Sequence, residues 1–146
     1  MTVIFSKKCE YGLQAVLYLA AKEDSEVTSA DEISKKLKIP REFVSKILQS
    51  LTESGIVNSK KGKSGGFSLA KKPEKIRLID VVAAIDGLEI FKSCVLGFPQ
   101  CSPEHPCPLH DKWGVLRTNA YNMLTDETLD MLKDKTLKKV RHISKT

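Results

Sequence analysis

A mainly α-helical fold with a small β wing, built as a winged helix-turn-helix plus one long dimerisation helix, is predicted by three features of this 146-residue sequence. Two amphipathic segments flank an Ile-Pro turn, a Lys/Gly-rich hairpin follows them, and an isolated apolar seam runs from Trp113 to Leu124.

The elements follow in order. Leu13, Val16, Leu17 and Ala20 recur at i, i+3, i+4 and i+7, which predicts a helix from about Glu10 to Ala21. After the polar stretch KEDSEVT, Ser29 and Glu32 form an S-x-x-E capping box that starts a short helix with Ile33 and Leu37 inward. The residue before Pro40 is pushed out of the helical region, which ends that helix. Pro40 suits the first turn of the next one, which runs to about Glu53 and buries Val44, Ile47, Leu48 and Leu51. Gly55 caps it. Ile56-Val57 and Phe67 to Leu69 then read as two short strands with Lys60, Lys61 and Lys63 at the tip between them. Pro73 ends this wing, and IRLIDVVAAIDG predicts a return strand and a short helix capped near Gly87.

Further on, Trp113, Leu116, Ala120 and Leu124 are spaced by 3, 4 and 4 residues. One long seam of this kind is predicted to pair with the same helix of a second subunit. A short helix is expected near Thr128, and the lysine-rich residues 133–146 read as a frayed basic tail. The expected divisions are a DNA-binding domain (1–87), a cysteine-rich loop (88–109), the dimerisation helix with its short successor (110–132) and the tail (133–146).

Charge narrows the function. Between Lys35 and Arg77 there are twelve Lys/Arg and three acidic residues, a balance of +9, while the rest of the chain sums to −3. Such asymmetry points to a polyanion, most simply double-stranded DNA. The residues on the outer face of the second helix, Pro40, Arg41, Glu42, Ser45 and Lys46, are candidates for base and phosphate contacts in the major groove. Lys60, Lys61 and Lys63 would lie in or beside the minor groove, with Gly62, Gly65 and Gly66 allowing close approach. A two-fold dimer would read a pseudo-palindromic operator.

Other classes are disfavoured. The longest apolar run, AVLYLAA, is far too short to span a membrane, and the N-terminus has no signal-peptide core. The expectation is a cytoplasmic protein with reduced thiols and no membrane partner. No Ser-His-Asp set, phosphate loop or carboxylate pair appears, so neither an enzyme nor a small-molecule substrate is expected.

Three of the four cysteines lie in CVLGFPQCSPEHPCPLH, spaced C-x6-C-x5-C-x2-H. Zinc sites usually use tighter C-x2-C turns, whereas gaps of five and six suit a loop wrapped around an iron–sulfur cluster. Pro99, Pro103, Pro106 and Pro108 forbid helix and reduce the entropy lost when the loop closes. Cys94, Cys101 and Cys107 supply three thiolates, and His110 stands where a ring nitrogen could be the fourth ligand. A zinc site and a bare thiol switch between Cys94 and Cys101 are the alternatives. Cys9 reads as a small buried helix residue.

The segments KKCEYGLQAVLYLA, IPREFVSKILQSLTESGIV, KKGKSGGFSLAK, IDVVAAIDG, CPLHDKW and TLDML together resemble the family of winged-helix bacterial regulators that contains IscR, NsrR and CymR. The resemblance implies a homodimeric, sequence-specific transcription factor whose long helix forms the interface. Cys94, Cys101 and Cys107 match the cysteine triad of cluster-binding members, with one extra residue in the first gap relative to IscR. His110 matches the histidine that completes a 2Fe–2S site in IscR-like members. Glu10 stands where NsrR-like members place a partner-subunit carboxylate that completes 4Fe–4S. The resemblance therefore implies a cluster sensing redox, iron or nitric oxide status, 2Fe–2S ahead of 4Fe–4S. The alternative is a cluster-free regulator of the same fold, controlled by a partner protein or by thiol oxidation.

Overall fold

A computed structural model describes residues 4–22 and 26–144. Six helices and one two-stranded antiparallel sheet make up the regular structure among them. Helix α1 (Lys7–Ala21) starts one turn earlier than its apolar periodicity suggests, because the Ser6 hydroxyl caps it by accepting from the Cys9 amide. Helix α2 (Ala30–Leu37) starts at Ser29, whose hydroxyl accepts from the Glu32 amide. The other half of the expected capping box is replaced: the Glu32 carboxylate accepts instead from Tyr18 at 2.6 Å and Lys22 at 2.8 Å, tying α2 to the end of α1.

Lys38 takes the left-handed conformation at the end of α2, and Pro40 stands as the N-cap of α3 (Arg41–Glu53), one position before its first turn. Gly55 ends α3 at φ +81°. Val44, Ile47, Leu48 and Leu51 form the inner face of α3 and meet Val16, Leu19 and Ile33 in the main core. Gly12 lets the helices close together, because a Cβ there would collide with the Ile85 side chain of α4.

The wing pairs β1 (Val57–Lys60) with β2 (Gly66–Leu69) in the register Val57 to Leu69 and Lys60 to Gly66. Beyond the expected hairpin, Thr28 forms a bridge to Phe67 through two backbone hydrogen bonds of 2.8 Å. This third contact explains Gly66, where any Cβ would strike the Thr28 carbonyl. At the tip, Gly65 is packed against the Lys60 carbonyl and donates to the Gly62 carbonyl. These two glycines thus let the wing fold on itself.

Two expectations are corrected beyond the wing. No return strand forms before α4 (Leu78–Ile85): a single 3-10 turn at Pro73–Lys75 leads to one isolated bridge between Arg77 and Thr128. The lysine-rich end is no frayed tail, since residues 133–144 form helix α6 (Lys133–Ser144), which packs on α1 and α2 with Val140 buried. Residues 145–146 lie outside the described residues. Helix α5 (His110–Asp126) leaves the cysteine loop and packs on α4 near its far end, where Leu124 joins Cys9, Ile79 and Val82 in a second small core. No helix of the described residues is long and apolar enough to cross a membrane.

Candidate nucleic-acid interface and metal centre

Helix α3 turns its buried stripe inward, so Arg41, Glu42, Lys46 and Gln49 stand exposed on its outer side, with Ser45 partly covered and Pro40 exposed at its start. Lys60, Lys61 and Lys63 are exposed at the wing tip. The predicted DNA-facing set is therefore solvent-accessible apart from part of Ser45. Arg41 is held by an ion pair between its Nε and Asp31 of α2, which orients the guanidinium at the first turn of α3. Three further groups on this side were absent from the sequence reading. Phe43 is 51% exposed, the Tyr11 ring of α1 lies 5.9 Å from it, and Lys7 sits over Tyr11 at 5.1 Å. A large exposed apolar side chain in the first turn of α3 is the sequence signal that could have found them.

The cysteine loop is shaped by turns rather than by packing. It leaves α4 through Gly87 and a 3-10 turn at Glu89–Phe91. The Ser93 hydroxyl then donates to the Glu89 carbonyl, and the indole N–H of Trp113 donates to the Ser93 carbonyl at 2.9 Å. Trp113, predicted for the dimer seam, thus also pins the loop to α5. Gly97 at φ +79° and Gln100 at φ +57° reverse the chain, and Ser102 and His105 close a small turn by exchanging backbone hydrogen bonds. The His110 amide bonds the Cys107 carbonyl, placing the histidine as the first residue of α5.

These turns bring three cysteines together. The sulfurs of Cys94, Cys101 and Cys107 all lie within 4.8 Å of one another, with Cys94 and Cys107 3.5 Å apart. His110 Nδ1 is 3.2 Å from the Cys101 sulfur. The four groups line one cavity of about 310 Å³, which Lys92, Trp113 and Arg117 also border. Desolvation pushes the Cys94 thiol up, but hydrogen bonds from the Phe98 and Leu96 amides and the neighbouring thiols outweigh it and bring it to about 7. Cys107 moves the other way, raised by desolvation and by the Cys94 and Cys101 sulfurs against the Leu109 amide. Three thiols, one of them acidic, and an imidazole form a soft donor set that suits iron–sulfur clusters and zinc alike.

The other candidates are placed differently. Glu10 projects from α1, paired with Lys7 at 3.4 Å, and is no part of the thiol group. Cys9 is fully buried, and burial first, then the Asp86 carboxylate, pushes its thiol to about 12. On α5, Leu124 is 2% exposed and serves its own subunit's core. It is removed from the predicted dimer seam by the twist of the helix: Leu116 and Met123 are more than half exposed and Ala120 is partly covered, so the outer face runs along those three.

The profile of Rrf2, described as iron-dependent transcriptional regulators, matches residues 5–135. The chain belongs to the Rrf2 family. It is 36% identical over 129 residues to an Aquifex aeolicus protein named as an HTH-type transcriptional regulator, covering 87% of this chain and 89% of the relative. A Mycobacterium tuberculosis protein of the same type is 32% identical over 126 residues, covering 85% and 77%. Among solved structures, CymR, the global cysteine regulator of B. subtilis, shares the fold at a TM-score of 0.76 and 24% identity over 92% of this chain and 98% of its own. IscR of T. potens superposes at 0.69 and 25% identity over 92% and 88%. The mainly helical fold with its small wing is thus that of the Rrf2 regulators. The protein is a DNA-binding transcriptional regulator rather than an enzyme.

Proposed function

We propose that this Rrf2 regulator is a homodimer that reads a pseudo-palindromic operator and that an iron–sulfur cluster sets its affinity. The observation that carries the reading is the convergence of Cys94, Cys101 and Cys107 within 4.8 Å, with His110 Nδ1 3.2 Å from Cys101. Cys94, Cys101 and Cys107 would hold the iron through thiolates and His110 through a ring nitrogen. Glu10 of a second subunit is the alternative fourth ligand. A 2Fe–2S cluster is favoured because His110 already stands beside the triad within one chain. When bound, the group supplies reversible electron exchange and a reaction site for oxidants or nitric oxide.

The chain's own residues carry the response. Cys94 and Cys107 flank a loop that Trp113 ties to α5 through Ser93, and His110 opens α5 itself. Drawing the four ligands together therefore fixes the start of α5, the helix whose outer face carries Leu116, Ala120 and Met123 toward the second subunit. The hydrogen bonds of Ser6 to Asp86 tie the end of α4, from which the loop departs, to the start of α1. Changing the loop's order would bias the angle between two α3 helices, a shift between states of different operator affinity. On DNA, α3 would enter the major groove and the wing lysines would neutralise phosphates.

A second reading rests on the 3.5 Å separation of Cys94 and Cys107: with Cys94 near 7, these two, rather than Cys94 and Cys101, are the pair best placed for a thiol switch in a cluster-free regulator. The deciding experiment is a visible absorption spectrum of protein purified without oxygen, with iron and sulfide counted per chain. Visible bands with about two of each per chain, lost in Cys107→Ser and altered in His110→Ala, are expected. About four would assign Glu10 as the fourth ligand. A colourless protein that keeps neither iron nor sulfide after reconstitution would leave the thiol switch.

A further inference from the structure

We propose that Phe43 is a specificity-determining residue that reads the 5-methyl group of a thymine, with Tyr11 positioning its ring. This rests on the placement of α3 in the major groove. Phe43 is the third residue of α3, in the turn from which a recognition helix reaches base edges. Its neighbours Val44 and Ile47 are buried, yet its own ring is 51% exposed. An apolar ring left in water on such a helix gains free energy only when a partner covers it.

The surroundings specify the partner. Lys46 stands exposed one turn along α3 from the ring, whereas Lys7 and Arg41 are each paired with a carboxylate, Glu10 and Asp31. A lysine unpaired among the described residues, beside an apolar ring, fits a polyanion better than a purely apolar protein surface. The Tyr11 ring, tilted 57° at 5.9 Å, occupies one side of Phe43, and Lys7 lies over the other partner of that pair at 5.1 Å. The phenylalanine is therefore buttressed from α1 and directed outward. A phenyl group has no donor or acceptor, so the polar edges of the bases give it nothing to read. The thymine methyl is the one apolar feature that the major groove presents. Glu42 and Lys46, beside it on the same helix, supply the polar contacts that fix register.

The test uses full-length protein purified without oxygen and a duplex selected by it from a random pool. Each thymine in that duplex is replaced singly by uracil, which removes the methyl and leaves base pairing unchanged. For the wild type, one position in each half-site should weaken binding about fourfold, the value of one buried methyl. Phe43→Ala should bind the thymine and uracil duplexes equally while remaining folded at the assay temperature, with only the modest loss of melting temperature that its half-covered ring and its contact with Tyr11 imply. Tyr11→Ala should reduce the discrimination without abolishing it. If Phe43→Ala still discriminates uracil, or weakens binding equally on every sequence, the ring packs on sugar and phosphate and the proposal fails. A wild type that selects no sequence at all would instead overturn the groove placement of α3, an outcome visible before any uracil is introduced.

Discussion

The first 87 residues and the stretch that follows them are built on opposite principles. From Cys9 to Val82 nearly every apolar side chain on an inward face is buried, and the helices close on one another around Gly12. From Leu88 to Met123 no residue is buried at all. Eight of the eleven exposed large hydrophobic residues among the described residues lie in that second stretch, including Val95, Phe98, Leu116 and Met123. The first region closes its core with its own side chains and with Leu124, Leu129 and Val140, which the end of the chain returns to it. The second is drawn by turns, glycines and prolines into a shape whose apolar and thiol surfaces are left for something else to satisfy. That division suits the proposed function, which asks for a rigid reader and a sensing loop soft enough to have two states.

The largest effect expected from this contrast separates folding from sensing. Leu48→Ala, at a site with no exposure, should lower stability by about 2–5 kcal/mol in urea unfolding. Cys101→Ala, measured on metal-free protein, should change it by less than about 0.5 kcal/mol, because its side chain is packed against little. Equal losses would break the comparison and make the loop part of the core.

A second contrast lies within α5. Leu116→Asp should leave the subunit folded and weaken dimerisation about tenfold or more, on the scale of one buried leucine. Leu124→Ala should instead destabilise the subunit, because Leu124 packs with Cys9, Ile79 and Val82. Sedimentation and thermal melting of the two variants separate the roles. A dimer unaffected by Leu116→Asp would remove the outer face of α5 from the interface.

The same division governs what could be read before the structure. The reader region is legible because local chemistry decides it: Ser29 caps α2, Pro40 precedes the first turn of α3, and Gly55 at positive φ stops α3. The left-handed Lys38 that ends α2 two residues before the proline is the local detail the sequence hides. The cysteine spacing likewise announced a ligand set, since three soft side chains among prolines have few other uses. What escaped depended on distant partners. Thr28 looked like part of a polar break, and only the backbone of Phe67 makes it a strand position. Residues 133–144 looked solvated because lysines outnumber apolar residues, yet Val140 and α1 supply enough burial to hold a helix. Leu124 fitted a seam by spacing, but which side of a long helix faces its own core is set by where α4 docks. Phe43 is hidden in the sequence because an apolar residue in a helix reads as core, and only its packing against Tyr11 shows that the ring stands outward.

The smallest effect tests how α2 is held to α1 beneath the reading helix. Glu32 accepts from Lys22 and Tyr18, and the first of these bonds, then the second, holds its carboxyl below the usual 4.5. A carboxylate depressed on folding stabilises the native state above its unfolded value, and that contribution disappears as pH falls through the folded one. Lys22 is raised by the same hydrogen bond, so its share is complete below 10.5 and fades as pH rises through its folded value. The pair therefore contributes most on the broad plateau between those limits. Both side chains are partly solvated, at 22% and 37% exposure, so the gain belongs to the ~0.2–1 kcal/mol range of surface pairs. Glu32→Gln should lower the urea midpoint near neutral pH and approach the wild type as the medium is acidified well below pH 4.5. A difference between the two proteins that stays constant into acid would assign the stabilisation to hydrogen bonding of either amide or carboxyl with Tyr18, and would take the charge on Lys22 out of the α1–α2 contact.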